Sequence, residues 1–233
     1  MKVGVTLPQF SDRADLAIAA AREAERLGLD GVFCFDHLWP MGQPDRPALS
    51  SWPLLGALAA STSTIRVGTL VARIGLLPDP TVAGALVGLS AISGGRIIAG
   101  LGTGDRLSRA ENEAFGIPFE SADRRRERLG EVAAAVMAAG IPVWVGSGQD
   151  KTVGLTRSLG ATVNLWESEP ARVAELVSTG LDVTWGGPVG SGVGEAAGRL
   201  TTLADAGASW AVCAWPDSLE VIAEAAAPLR SRD

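Results

Sequence analysis

Short apolar, β-branched runs alternate eight times with longer amphipathic runs along this 233-residue chain. No other feature of the sequence limits the fold as much. Apolar residues at a two-residue period make strands, and those at a 3.6-residue period make helices, so the alternation spells repeated βα units. The expected strands are KVGVTL (2–7), GVFCF (31–35), IRVGTLV (65–71), RIIAGLG (96–102), PVWVG (142–146), ATVNLW (161–166), DVTWG (182–186) and SWAVCAW (209–215). After the first, Leu16, Ala20, Ala24 and Leu27 stand at helical spacing and Gly28 ends the helix. Further helices are expected around 54–61, 80–92, 121–139, 151–159, 170–178, 194–206 and 218–229, with a long loop after the fourth strand. Eight parallel units close into a (β/α)8 TIM barrel more readily than into a doubly wound sheet. No Pro-, Gly- or Ser-rich linker divides the chain, so one compact α/β barrel domain with few insertions is expected over 1–233.

A barrel of this kind places its active site at the C-terminal ends of the strands. That turns the strand map into candidates: Pro8 and Gln9, then Asp36, His37 and Trp39, then Arg73 and Thr103–Arg106, then Gly146–Lys151, Asn164, Trp166 and Trp185–Gly194. His37 is the only histidine of the chain. An imidazole moves protons near neutral pH, and a neighbouring carboxylate orients it. A rim histidine with a structural hydrogen bond fits the position equally. Asp105, directly after GLGTG (100–104), suits an acid, a base or a hydrogen-bond acceptor, and equally a helix-start charge. Asp36 either orients His37 or caps the next segment.

The phosphate motifs give a mixed answer. The dinucleotide fingerprint fails because Leu107 stands where its third glycine belongs, and no Gly-Lys-Ser/Thr occurs for a P-loop. VGSGQDKT (145–152) is a better anion cradle. Gly146, Ser147 and Gly148 end a strand just before a helix, and Lys151 falls in its first turn. GGPVGSGVG (186–194) is a second glycine-rich loop, with a mobile loop as its plain alternative. No histidine–cysteine–acid cluster suggests a metal, and no G-x-S-x-G elbow suggests a serine hydrolase.

A net charge of −6 makes nucleic acid and anionic membrane poor partners. Arg124-Arg125-Arg126-Glu127-Arg128 shares its helix with acids and reads as a solvated face, with anion or partner binding as the alternative. Cys34 and Cys213 lie in strand-like segments and read as buried free thiols of a cytoplasmic protein. MKVGVTLPQF has no signal-peptide core, and no apolar run reaches the ~20 residues of a membrane span.

The segment 65–119, with the opening VGVTLPQ and AREAERLGLDGVFCFDHL, and the later PVWVGSG and NLW, resembles the bacterial luciferase-like monooxygenase family. The Asp-His pair followed by Trp, and GTG followed by an acid, are most similar to its branch that uses the deazaflavin coenzyme F420. The resemblance implies an F420-dependent oxidoreductase that transfers a hydride to or from a small organic substrate. It also implies His37 and Asp105 near the reactive carbon, Asp36 and Trp39 beside them, and a cis peptide between Leu70 and Val71 behind the ring. Gly102, Thr103 and Gly104 would form a pocket floor whose glycines let the cofactor lie close. Gly146, Ser147 and Gly148, with Lys151, would receive its phosphate. An FMN-dependent monooxygenase, a barrel that binds without turnover and a phosphosugar enzyme using 186–194 are the alternatives, and a homodimer is the candidate assembly. The chain departs from the family in its short insertions, in Pro78 where an arginine is frequent, and in Asp105 where a tryptophan is familiar.

Overall fold

A computed structural model describes residues 1–215 and 218–230. Nine strands form one parallel sheet: β1 (Lys2–Thr6), β2 (Gly31–Cys34), β3 (Arg66–Thr69), β4 (Ala72–Arg73), β5 (Ile97–Gly102), β6 (Val143–Gly146), β7 (Thr162–Trp166), β8 (Val183–Gly187) and β9 (Trp210–Cys213). β1 pairs with both β2 and β9, and β3 pairs with both β2 and β5, so the sheet closes on itself. β3 and β4 are two halves of one barrel strand, interrupted by a cis peptide between Leu70 and Val71. The closed sheet is therefore an eight-stranded α/β TIM barrel. The third strand resumes beyond its expected end at Val71 and carries Arg73 to the barrel mouth.

The outer layer is α1 (Ala14–Arg26), α2 (Ser51–Ser61), α3 (Asp79–Ser93), α5 (Ala122–Ala138), α6 (Asp150–Leu159), α7 (Pro170–Ser178), α8 (Val193–Asp205) and α9 (Leu219–Arg230). A further short helix, α4 (Arg109–Ala114), follows a 3-10 turn at Arg106–Ser108 inside the segment expected to be a loop. Strand alternation explains the layering: Val3 and Val5 join the helix-packed core, while Gly4 between them faces inward. Phe33, Trp144 and Trp210 fill the barrel interior, with ring centroids 5.1, 6.1 and 5.3 Å apart in the three pairs. Their rings occupy space that glycines leave open. A Cβ on Gly4 or Gly68 would stand within 3 Å of the Phe33 ring. This aromatic plug makes the interior a packed core rather than a channel.

Cys34 and Cys213 are both buried. The basic run on α5 divides rather than forming one solvated face. Arg124 pairs with Glu127 at the surface, but Arg125 is buried and donates to the carbonyls of Thr103 and Gly104 at 2.8 and 3.3 Å. Arg128 bonds both Asp79 and Glu120. The arginines thus tie α5 to the end of β5 and to the start of α3.

Candidate functional site

The C-terminal ends of the strands enclose an open cavity of about 490 Å³, within the usual size of small-molecule sites. Leu70 and Val71, at the break between β3 and β4, form one wall. Thr103, Gly104 and Asp105 lie beside them, and Gly146, Ser147 and Gly148 close the β6 side. Phe10, Phe35 and Trp166 form a continuous aromatic wall. Phe10 stacks on Phe35 at 5.7 Å, and Trp166 meets Phe35 edge-on at 5.5 Å.

His37 reaches the cavity from the loop after β2. Its Nδ1 lies 2.9 Å from Glu111 Oε1. The other Glu111 oxygen accepts a very short bond from the Arg73 guanidinium. Both members of that ion pair are almost wholly buried, with side-chain exposures of 5% and 3%. The remaining Arg73 donors are also engaged. Nε–H meets Asp36 O at 3.0 Å, while the third nitrogen meets Ser108 O and Asn112 Oδ1. Asp36 in turn accepts from Ser51 Oγ at 2.8 Å and from the Arg73 amide at 3.0 Å. Burial pushes the Asp36 carboxyl above its ordinary range, against the pull of these donors. Burial also lowers the Arg73 pKa, although a guanidinium keeps its charge. An ionised Glu111 only accepts, so the bond to His37 assigns the proton to Nδ1 and leaves Nε2 without a protein partner among the described residues.

Asp105 Oδ1 takes three bonds, from the amides of Leu107 and Ser108 and from Ser108 Oγ. It caps the 3-10 turn through this one oxygen, and Oδ2 has no partner among the described residues. Asp36 stands behind the cavity, as a support for Arg73. Trp39 packs on Phe115 at 5.7 Å and is not among the cavity walls. Lys151 is 77% exposed and 3.8 Å from Asp123, also outside the walls.

Gly104 of GLGTG lines the cavity, whereas Gly100 and Gly102 have a steric cause within the barrel. A Cβ on Gly100 would stand 2.0 Å from Thr69 O, and one on Gly102 would stand 2.4 Å from Val71 Cγ2. A Cβ on Gly146 would likewise be 2.8 Å from Val71 Cγ1. Three glycines on two strands therefore make room for the Thr69–Val71 bulge, and the bulge in turn walls the cavity. Gly148 is unconstrained, since its nearest atom would be Leu165 Cδ2 at 3.8 Å.

The structure also tests whether a phosphate-bearing ring cofactor fits. The Gln149 side chain makes no capping bond at the start of α6, and the amides of Gly148, Asp150 and Lys151 have no acceptor among the described residues. Open helix-start donors beside small residues at a cavity edge suit an anion. The apolar wall of Leu70, Val71 and Phe35 suits a flat ring. The competing loop at 186–194 suits an anion less, because the Glu195 carboxylate lies 2.3 Å from where a Cβ of Gly190 would stand.

Sequence reasoning missed Glu111, because α4 was hidden in an expected loop. Phe10, Met41, Ser108 and Ser168 of the cavity wall lie beyond the expected strand ends and were missed, as was Phe35, the last residue of the expected second strand.

Comparison with known proteins follows the same lines. The chain is 36% identical over 129 residues to an F420-dependent hydroxymycolic acid dehydrogenase of Mycobacterium tuberculosis, covering 54% of this chain and 36% of that protein. It is 34% identical over 139 residues to an F420-dependent glucose-6-phosphate dehydrogenase of Beutenbergia cavernae, covering 59% and 39%. Each match thus spans under two-fifths of the curated relative. Among solved structures, an F420-dependent secondary alcohol dehydrogenase in complex with an F420–acetone adduct superposes with a TM-score of 0.80 at 13% identity, over 96% of this chain and 97% of that one. At that identity the likeness shows the fold. The sequence model of luciferase-like monooxygenases matches residues 1–140, from β1 through the whole His37–Glu111–Arg73 network to the end of α5, and the chain therefore belongs to the luciferase-like monooxygenase family.

Proposed function

We propose that this chain is an F420-dependent oxidoreductase acting on a small organic molecule. The observation that carries this is His37, tied at Nδ1 by Glu111 and open at Nε2, on the cavity that also holds the Leu70–Val71 wall and the free amides at the start of α6. The F420-dependent relatives support the choice of cofactor. When bound, the deazaflavin supplies two-electron hydride chemistry. The protein's own part is to bind, orient and move a proton. Gly148 and the first amides of α6 receive the phosphate, and Leu70 and Val71 back the ring. His37 Nε2 gives or takes the proton, with Asp105 Oδ2 as a second proton group. An FMN-dependent monooxygenase is the competing reading, favoured by the family's own description. Side-by-side fluorescence titration with F420 and FMN decides between them. Tighter F420 binding is expected, equal or tighter FMN binding selects the monooxygenase, and binding of neither leaves a barrel without this chemistry.

The same proposal covers assembly and compartment. α2 and α3 carry one charged residue between them, Asp79, and Val87 and Ile92 are 45% and 61% exposed on the outer side. An outer barrel helix ordinarily turns a polar face to water, so this face suits a second copy of the chain. Val87→Glu is expected to convert a dimer to a monomer in sedimentation velocity. The two buried cysteines suit a reducing cytoplasm, and no described helix is long and apolar enough to cross a membrane.

A further inference from the structure

We infer that the substrate is an uncharged molecule with an apolar or aromatic body, and that phosphorylated and carboxylated substrates are rejected. This rests on the function proposed above and narrows its substrate class.

The first observation concerns charge. Among the described residues lining the cavity, Arg73 is the only Lys or Arg. Each of its side-chain nitrogens already donates to a protein acceptor: Asp36 O, Ser108 O with Asn112 Oδ1, and Glu111. Arg125 and Arg172 are spent in the same way. Arg125 holds the Thr103 and Gly104 carbonyls, and Arg172 bonds Asp150 and Glu175. Asp105 lines the cavity, and the Glu167 carboxylate accepts from the lining Trp166. The amides at the start of α6 are the anion donors, and the cofactor's own phosphate takes them. An anionic substrate would therefore be desolvated beside the Asp105 carboxylate with no lining arginine or lysine left to pair it, which is among the most costly forms of burial.

The second observation concerns shape. The Phe10–Phe35–Trp166 wall is fixed rather than adaptable. Trp166 donates its indole N–H to Glu167 Oε1 at 3.0 Å and rests its ring edge on Phe35. Its ring also fills the space over Gly186, where a Cβ would stand 2.7 Å from Trp166 Cε3. Met41, 52% exposed, extends the apolar surface to the mouth. Aromatic faces held in one orientation select flat or bulky apolar groups. His37 Nε2 is left to meet the substrate's one polar group. Trp166 is thus the specificity-determining residue of the cavity.

The test uses benzyl alcohol and benzyl phosphate as a matched pair, titrated calorimetrically into the F420-loaded protein and into the protein alone. In the loaded protein, benzyl alcohol is expected to bind at least about tenfold tighter than benzyl phosphate, the size of a modest unpaired-charge penalty. Trp166→Ala should weaken benzyl alcohol by about tenfold. Met41→Arg, at an exposed wall position, supplies the missing cation and should raise benzyl phosphate affinity by about tenfold. Equal or tighter binding of benzyl phosphate to the loaded wild type overturns the inference, as does benzyl alcohol failing to bind up to its solubility limit. F420 failing to bind overturns the proposed function instead. The protein alone then supplies the alcohol-to-phosphate ratio, with a phosphate preference that survives Gly148→Val counting against the inference.

Discussion

Glu111→Gln is expected to reverse the proton on His37. In the native site Glu111 accepts at both oxygens, from His37 Nδ1 at 2.9 Å and from the Arg73 guanidinium. Glutamine has one accepting end and one donating end. Arg73 has only hydrogens to offer, so the amide oxygen must turn to it. The amide nitrogen then faces His37 and donates to Nδ1, and the imidazole proton moves to Nε2, into the cavity. A charge-assisted bond of about 1.5–3 kcal/mol holds the native tautomer by roughly 13- to 160-fold. The neutral bond in the variant, about 0.5–1.5 kcal/mol, favours the opposite tautomer by roughly 2- to 13-fold. The assay is direct because the chain has one histidine, so a histidine-labelled sample gives a single imidazole in the nitrogen-15 spectrum. Turnover that needs Nε2 as a base should fall about 10²–10⁴-fold, with a smaller change in KM. Folding should survive, since Arg73 keeps an acceptor, whereas Glu111→Ala strands a buried cation at a cost of about 3–5 kcal/mol. An unchanged tautomer in Glu111→Gln refutes the assignment of Glu111 as the residue that sets His37.

Gly102→Ala should destabilise the barrel by about 1–3 kcal/mol in thermal or urea unfolding, and Val71→Ala should relieve most of that loss, because the new Cβ meets the Val71 side chain; additive losses would sink the steric account. Asp105→Asn should keep the cap and leave stability within about 0.5 kcal/mol, while Asp105→Ala costs about 0.5–2 kcal/mol; a drop in turnover in the folded Asn variant assigns proton transfer to the carboxylate, and unchanged turnover confines Asp105 to capping. Glu25 is raised by burial, yet the amides of Thr64, Ile65 and Ser63 outweigh that and hold it at about 2, against an ordinary 4.5. A depressed folded pKa gives stability that is present above about pH 4.5 and is lost as pH falls through about 2, so Glu25→Gln should cost about 1–2 kcal/mol at neutral pH after solvent screening and converge with wild type in acid denaturation near pH 2. Lys151→Ala should change F420 affinity by less than about twofold, since an exposed charge outside the walls is screened, while Gly148→Val beside the free amides weakens it more.

The barrel was legible because strand and helix periods alternate without interruption, and each expected strand has an observed counterpart within a few residues. The candidate site was legible where cavity-lining residues sit just after a strand, as with His37, Asp105 and Gly146–Gly148. It was hidden where a lining side chain is held by a residue distant in sequence. Glu111 comes 74 residues after His37 on a six-residue helix, too short to show a period. The glycines of GLGTG were visible, but their cause was not. A glycine in sequence announces missing bulk without saying whether a ligand or a neighbouring strand fills the space, and at Gly100 and Gly102 it is Thr69 and Val71 that fill it. Lys151 shows the converse error, because position in a first helical turn does not fix the direction of a long flexible side chain.

The one-sided setting of His37 has a kinetic consequence. Its Nδ1 is closed by Glu111, which is itself shut in behind Arg73, so the imidazole exchanges hydrogen only through the cavity. A proton accepted at Nε2 has no back exit to bulk water. Under the proposed role of His37, that proton leaves through the mouth, so its release to bulk water waits until a covering ligand departs.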